Sequence, residues 1–243
     1  MLFHFLKRQS PQKIYIKRSG EKDYCRIDDI PEHVTRFLVI LEDGEFYRHN
    51  GVDFCAIMKS VKHNLKYQNK VGASTITQQL CKNLYFTFES SYKRKILEML
   101  LAAETEKKLT KDQIIELYLN TVYFDNGQYG ITNAAEFYFH KKVKELTVNE
   151  AFFLLVLIPV VGIYNPLRVP EKFHEFRNKK TILHFDKEEL TWEEVKEIIR
   201  HRADNLDEDL VQHDADETER YVRGPMYNER FGPGGTEFLA EIC

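Results

Sequence analysis

Through most of the first two thirds of the chain, apolar residues recur every three or four positions, and that period predicts a mainly α protein. Asp29-Ile30-Pro31-Glu32 reads as a helix start with proline in the first turn. Val34, Phe37, Leu38 and Leu41 follow on one face, so Glu42 falls at the helix C-terminus, just before Gly44. Asp53 is expected to cap a second helix, with Phe54, Ile57, Met58, Val61 and Leu65 on one side and Lys59, Lys62, His63 and Lys66 on the rest. That basic remainder reads equally as a solvated face or as a contact for anionic lipid or phosphate.

Ser74 is expected to cap a third helix, with Ser74, Gln78 and Lys82 on a polar face and Ile76, Leu80 and Leu84 on the packed one. A fourth helix, opening at Ser90 or Ser91 and running to about Lys108, places Arg94 and Glu98 one turn apart. Thr110 with Gln113, and Thr147 with Glu150, are capping-box patterns ahead of two apolar helices. Lys13 to Lys17 is the one strand candidate, so the N-terminal segment is expected to be irregular or strand-bearing.

After Pro170 the pattern changes to a helix over Thr191 to His201, an acidic stretch from Asp204 to Glu219 and a Gly/Pro-rich end. The expected division is a principal domain over 1–175 and an acidic, partly helical extension over 176–243 with no assigned role.

The chain has 243 residues, 43% of them hydrophobic, enough for a sizeable core. A formal charge of -3 argues against a dedicated nucleic-acid binder. Cys25, Cys55, Cys81 and Cys243 form no ligand-like pair, so neither a structural zinc site nor a disulfide framework is expected. The apolar run from Ala151 to Val161 contains Pro159 and is shorter than a spanning helix, and Met1 to Arg8 does not read as a signal peptide.

The candidate chemistry lies in two polar clusters. Glu42 heads Glu42-Asp43-Gly44-Glu45-Phe46-Tyr47-Arg48-His49-Asn50-Gly51, and Glu98 follows Lys93-Arg94-Lys95. Two carboxylates in unlike surroundings can divide acid and base work. A carboxylate at a helix C-terminus meets the negative end of the helix dipole, which should raise its proton affinity and suit a general base. Between them, Gly72 to Asn83 is an uncharged polar run closed by Lys82, suited to a sugar and its phosphate. In isolation, Arg94 and Glu98 also read as an ordinary intrahelical ion pair.

Five segments in order resemble the peptidoglycan glycosyltransferases, that is, the monofunctional transglycosylases and the glycosyltransferase module of class A penicillin-binding proteins. They are Glu42 to Gly51; Gly72 to Leu80 with Lys82-Asn83; Arg94-Lys95 with Glu98-Met99; Ile115 to Asn120; and Leu146-Thr147 with Glu150-Ala151. The resemblance implies a lysozyme-like helical fold that polymerises lipid II into β-1,4-linked glycan and releases undecaprenyl pyrophosphate. By the same resemblance, Glu42 is the base for the acceptor 4-hydroxyl. Glu98 assists the leaving pyrophosphate directly or through a divalent cation, Mg or Mn. Lys82 and Arg94, joined by Lys59, hold the phosphates. Ser74 and Gln78 line the sugar cleft, while Asp43, His49 and Asn83 support the motif loops.

The implied partners are lipid II, the growing glycan strand, other cell-wall synthesis proteins and, through a peripheral surface or an anchor outside this sequence, the outer face of the cell membrane. Two other readings stay open, a lysozyme-like enzyme that cleaves glycan and a non-catalytic binder of lipid II or cell wall. The sequence departs from the family pattern at Ala73, Asp125 and His140, where glycines are common, and in Glu89-Ser90-Ser91, which lacks a basic residue that some relatives carry.

Overall fold

A computed structural model describes residues 8–67, 72–86, 92–159, 172, 173, 175 and 176. The predicted helix over 191–201, the acidic stretch, the C-terminal end and the Glu89-Ser90-Ser91 loop lie outside the described residues. Eight α helices appear among the described residues, α1 (Pro11–Arg18), α2 (Glu32–Glu42), α3 (Phe54–Tyr67), α4 (Ile76–Tyr85), α5 (Tyr92–Glu106), α6 (Lys111–Leu119), α7 (Ile131–Phe139) and α8 (Val148–Leu157). The mainly α expectation holds, with one isolated bridge between Tyr123 and Tyr129 as the only β pairing among them.

The core forms around α6, whose Ile114, Ile115, Leu117, Tyr118 and Leu119 are all buried. Packed against α6 are α1 and α4, while α2 lies along α8 and α4 along α5. The Phe37 and Phe152 rings meet edge to face at 5.5 Å across the α2–α8 contact. The apolar run starting at Ala151 thus forms an inner helix of the core. No helix among the described residues is long and apolar enough to cross a membrane.

The proposed strand at Lys13 to Lys17 is instead helical. Ser10 caps α1, Pro11 occupies its first turn, and the helix places Tyr15 and Arg18 on the same side. There the Tyr15 hydroxyl donates to Glu116 Oε1 at 3.0 Å and Arg18 donates to the Asn120 carbonyl at 3.0 Å. Glu116 also accepts from the Ile27 amide at 2.7 Å, and Asn120 exchanges two 2.8 Å bonds with the Cys25 backbone. The polar members of Ile115 to Asn120 therefore clasp the N-terminal segment.

Two glycine-like positions are met by other residues. Asp125 and His140 have φ of 67° and 53°, the left-handed region that glycine enters without strain. Asp125 offsets part of that cost by accepting from the Asn126 amide at 2.8 Å, and His140 ends α7 with its amide bonded to the Glu136 carbonyl at 2.9 Å.

Candidate active site

Each motif loop is fixed by a short chain of bonds. Asp43, buried just after α2, accepts from the Ile76 amide at 3.0 Å and from His49 Nε2 at 3.0 Å. The Gly51 amide donates to His49 Nδ1 at 3.1 Å, so the imidazole carries its proton on the nitrogen facing Asp43. Gly51 has φ 89°, and a Cβ there would stand 2.7 Å from the Ala102 carbonyl carbon and oxygen of α5. Only glycine lets the loop after Glu42 lie this close to the helix that carries Glu98. Lys111 donates to the His49 carbonyl and to Glu106, each at 2.8 Å, and locks the same loop from below.

The cap of α4 is Thr75 rather than Ser74. Thr75 and Gln78 form a capping box, Thr75 Oγ1 accepting from the Gln78 amide at 3.1 Å and Gln78 Oε1 from the Thr75 amide at 3.0 Å. Gln78 is consequently fully buried and does not line a cleft, which corrects its expected role. The side chain that reaches the carboxylate is Gln79, whose Nε2 donates to Glu42 Oε2 at 2.7 Å. Because successive helical residues differ by about 100° around the axis, a cap placed one residue early exchanges these two glutamines.

Glu98 is 2% exposed and sits among cations. Arg94 Nε stands 2.8 Å from its Oε1, close but not aligned for a hydrogen bond, and Lys95 Nζ stands 3.5 Å from its Oε2. Lys95, read in the sequence only as part of the basic run before Glu98, also donates to Ser74 Oγ, tying the entry of α4 to α5. Lys82, partly exposed on α4, lies within the field of both carboxylates. Burial pushes its ammonium pKa down, Glu98 and Glu42 pull it up, and Lys95 and Arg94 push it down. Thus Glu42, Ser74, Lys82, Arg94 and Glu98 are brought into one neighbourhood, with Gln79 and Lys95 added.

Two expected members show no bond to this group among the described residues. Lys59 is exposed on α3 with no ion pair to this group among the described residues, and Asn83 is exposed on α4 and joins neither motif loop. Asp43 and His49 hold the scaffold as expected. Glu98 would hold a divalent cation only together with the phosphates of a substrate. No three His, Cys, Asp or Glu side chains converge among the described residues, and both oxygens of Glu98 face cationic side chains.

The family model described as Transglycosylase matches residues 9–184. The chain belongs to the transglycosylase family. It is 45% identical over 141 residues to penicillin-binding protein 4 of Bacillus subtilis, covering 57% of this chain and 22% of that protein. It is 41% identical over 177 residues to penicillin-binding protein 1A of Aquifex aeolicus, covering 72% and 24%. Penicillin-binding protein 1F of Bacillus subtilis is 39% identical over 153 residues, covering 63% and 21%. The chain spans about a quarter or less of the length of these relatives.

Two helix faces among the described residues are unlike the rest. The apolar side of α3 is largely exposed at Phe54, Met58, Val61 and Leu65, the last to 81%. On α5, Tyr92, Ile96 and Leu100 are exposed as well, Tyr92 to 93%. Residues three or four apart on each helix make each a continuous stripe, and Lys59, Lys62 and Lys66 are exposed on α3 too.

Proposed function

We propose that this transglycosylase domain is an inverting glycosyltransferase that polymerises lipid II and releases undecaprenyl pyrophosphate. The observation that carries this reading is the grouping of a partly exposed carboxylate, Glu42, with a separate cluster of Lys82, Arg94 and Lys95 around buried Glu98. A departing pyrophosphate gathers negative charge in the transition state, and preset cations lower that barrier without a proton donor. A glycosidase acting on a neutral leaving oxygen must instead protonate it. Three cations beside one acid favour transfer over hydrolysis.

In the proposed step, Glu42 takes the proton of the acceptor sugar's 4-hydroxyl as its oxygen attacks the donor anomeric carbon. The bond from that carbon to the diphosphate oxygen breaks on the opposite face, and Lys82, Arg94 and Lys95 receive the charge. Glu98 keeps those cations in place. The reading is tested by incubating the protein separately with lipid II and with finished peptidoglycan. Consumption of lipid II alone is the expected result, and cleavage of finished peptidoglycan with lipid II untouched would favour the hydrolase instead.

The exposed stripes of α3 and α5 support peripheral contact with an anionic lipid surface, apolar side chains entering the acyl boundary and lysines meeting headgroups. Co-sedimentation with vesicles containing phosphatidylglycerol should fall by about tenfold in a Phe54→Glu, Leu65→Glu double variant, since both lost area and added charge oppose binding. Unchanged co-sedimentation would remove α3 from that role.

A further inference from the structure

Tyr118 is completely buried in α6 as part of the apolar core, yet its hydroxyl has a polar partner. It donates to Gln79 Oε1 at 2.9 Å, and the other end of the same amide donates to Glu42 Oε2 at 2.7 Å. The direction of both bonds follows from chemistry. An ionised carboxylate only accepts, so the Gln79 amino group must face Glu42, its carbonyl must face Tyr118, and the tyrosine must donate. Burial, with the Glu42 charge added to it, raises the Tyr118 pKa well above the ordinary phenol value, so the donor keeps its proton.

We propose that Tyr118 is a positioning residue for the base, fixing through the Gln79 amide the orientation in which Glu42 awaits the acceptor hydroxyl. The proposal rests on Glu42 being the base. Without the phenol, the Gln79 amide is free to rotate about its last bond and present its carbonyl to Glu42, a repulsive pairing with the ionised form. The carboxylate would then lose both its aim and a hydrogen bond that favours its charged, proton-accepting state. Tyr118 touches no substrate in this scheme. It acts across two bonds from the core.

The test is a kinetic cycle on lipid II with Tyr118→Phe, Gln79→Met and the double variant. Tyr118→Phe keeps the ring and removes one oxygen. It should lower kcat about tenfold with KM within about twofold of the parent, the pattern of an interaction that matters in the transition state and not in ground-state binding. In the Gln79→Met background the same change should alter kcat by less than about twofold, because the relay is already cut.

A Tyr118→Phe protein with unchanged kcat, or with a loss that multiplies in full onto Gln79→Met, would overturn the proposal. If Tyr118→Phe does not fold, Gln79→Met decides alone, kcat lost at constant KM supporting the relay and KM raised at constant kcat overturning it. Glu42→Gln is run alongside. If it is inactive while Tyr118→Phe is fully active, the relay fails and the base assignment stands; if it is active, the base assignment itself fails.

Discussion

Glu42→Gln is expected to lower the rate of glycan polymerisation by about a hundred- to ten-thousand-fold, while binding of a non-reacting lipid II analogue changes little. The glutamine is nearly the same size and still meets the solvent side of the cleft, but it has no affinity for the acceptor proton. Its neighbours predict little collapse. Glu42 is partly exposed at the end of α2, and Asp43, the residue beside it, carries the structural bonds to α4 and His49. Kinetics read together with thermal melting separate the outcomes. Lost turnover with a native melting temperature fits the base, whereas full activity would remove Glu42 from its role.

Lys82→Ala should weaken both binding and turnover, with kcat/KM falling by about a hundred- to a thousand-fold, because the charge it supplies meets the diphosphate before and during departure. The remaining Arg94 and Lys95 should sustain some activity. The pH dependence gives an independent check. Burial lowers the Lys82 pKa in the free protein, against the attraction of Glu98 and Glu42 and with the repulsion of Lys95 and Arg94. Its charge is therefore lost as pH rises through a value below that of an ordinary lysine. The alkaline limb of kcat/KM should fall there, and Lys82→Arg, which cannot lose its charge, should move that limb upward. A limb unaffected by Lys82→Arg would assign it to another group.

Which parts of this were legible in the sequence has a physical pattern. Helices α2, α3, α6 and α8 were readable from their apolar spacing, and the last three also from a side-chain cap, whereas α2 starts after Pro31 with none. Asp53 accepts from the Ala56 amide at 2.9 Å, and Thr110 and Thr147 form the expected boxes. The N-terminal helix was misread because Ile14 and Ile16 alternate like a strand, although Ser10 followed by Pro11 was a start signal. What fixes α1 is distant in sequence, the Glu116 side chain and the Asn120 carbonyl.

At α4 the box Thr75 to Gln78 has the same form as Thr110 to Gln113 and could have been recognised. Taking Ser74 as the cap led to the wrong glutamine. Tyr118 had no signal at all, since a tyrosine inside an apolar run reads as core, and only the fold reveals where its hydroxyl points. Exposure of the α3 stripe was equally hidden, because helical spacing shows that a face is apolar without showing what covers it.

The proposed transfer depends on an acceptor oxygen arriving from the Glu42 side of a sugar whose diphosphate leaves toward Lys82, Arg94 and Lys95. Nuclear magnetic resonance of the glycosidic linkage in the product made from lipid II tests that geometry most directly. New β-1,4 linkages, formed one for each undecaprenyl pyrophosphate released, are the predicted result. Product with the donor's α configuration retained, or free reducing sugar in place of a linkage, would contradict it.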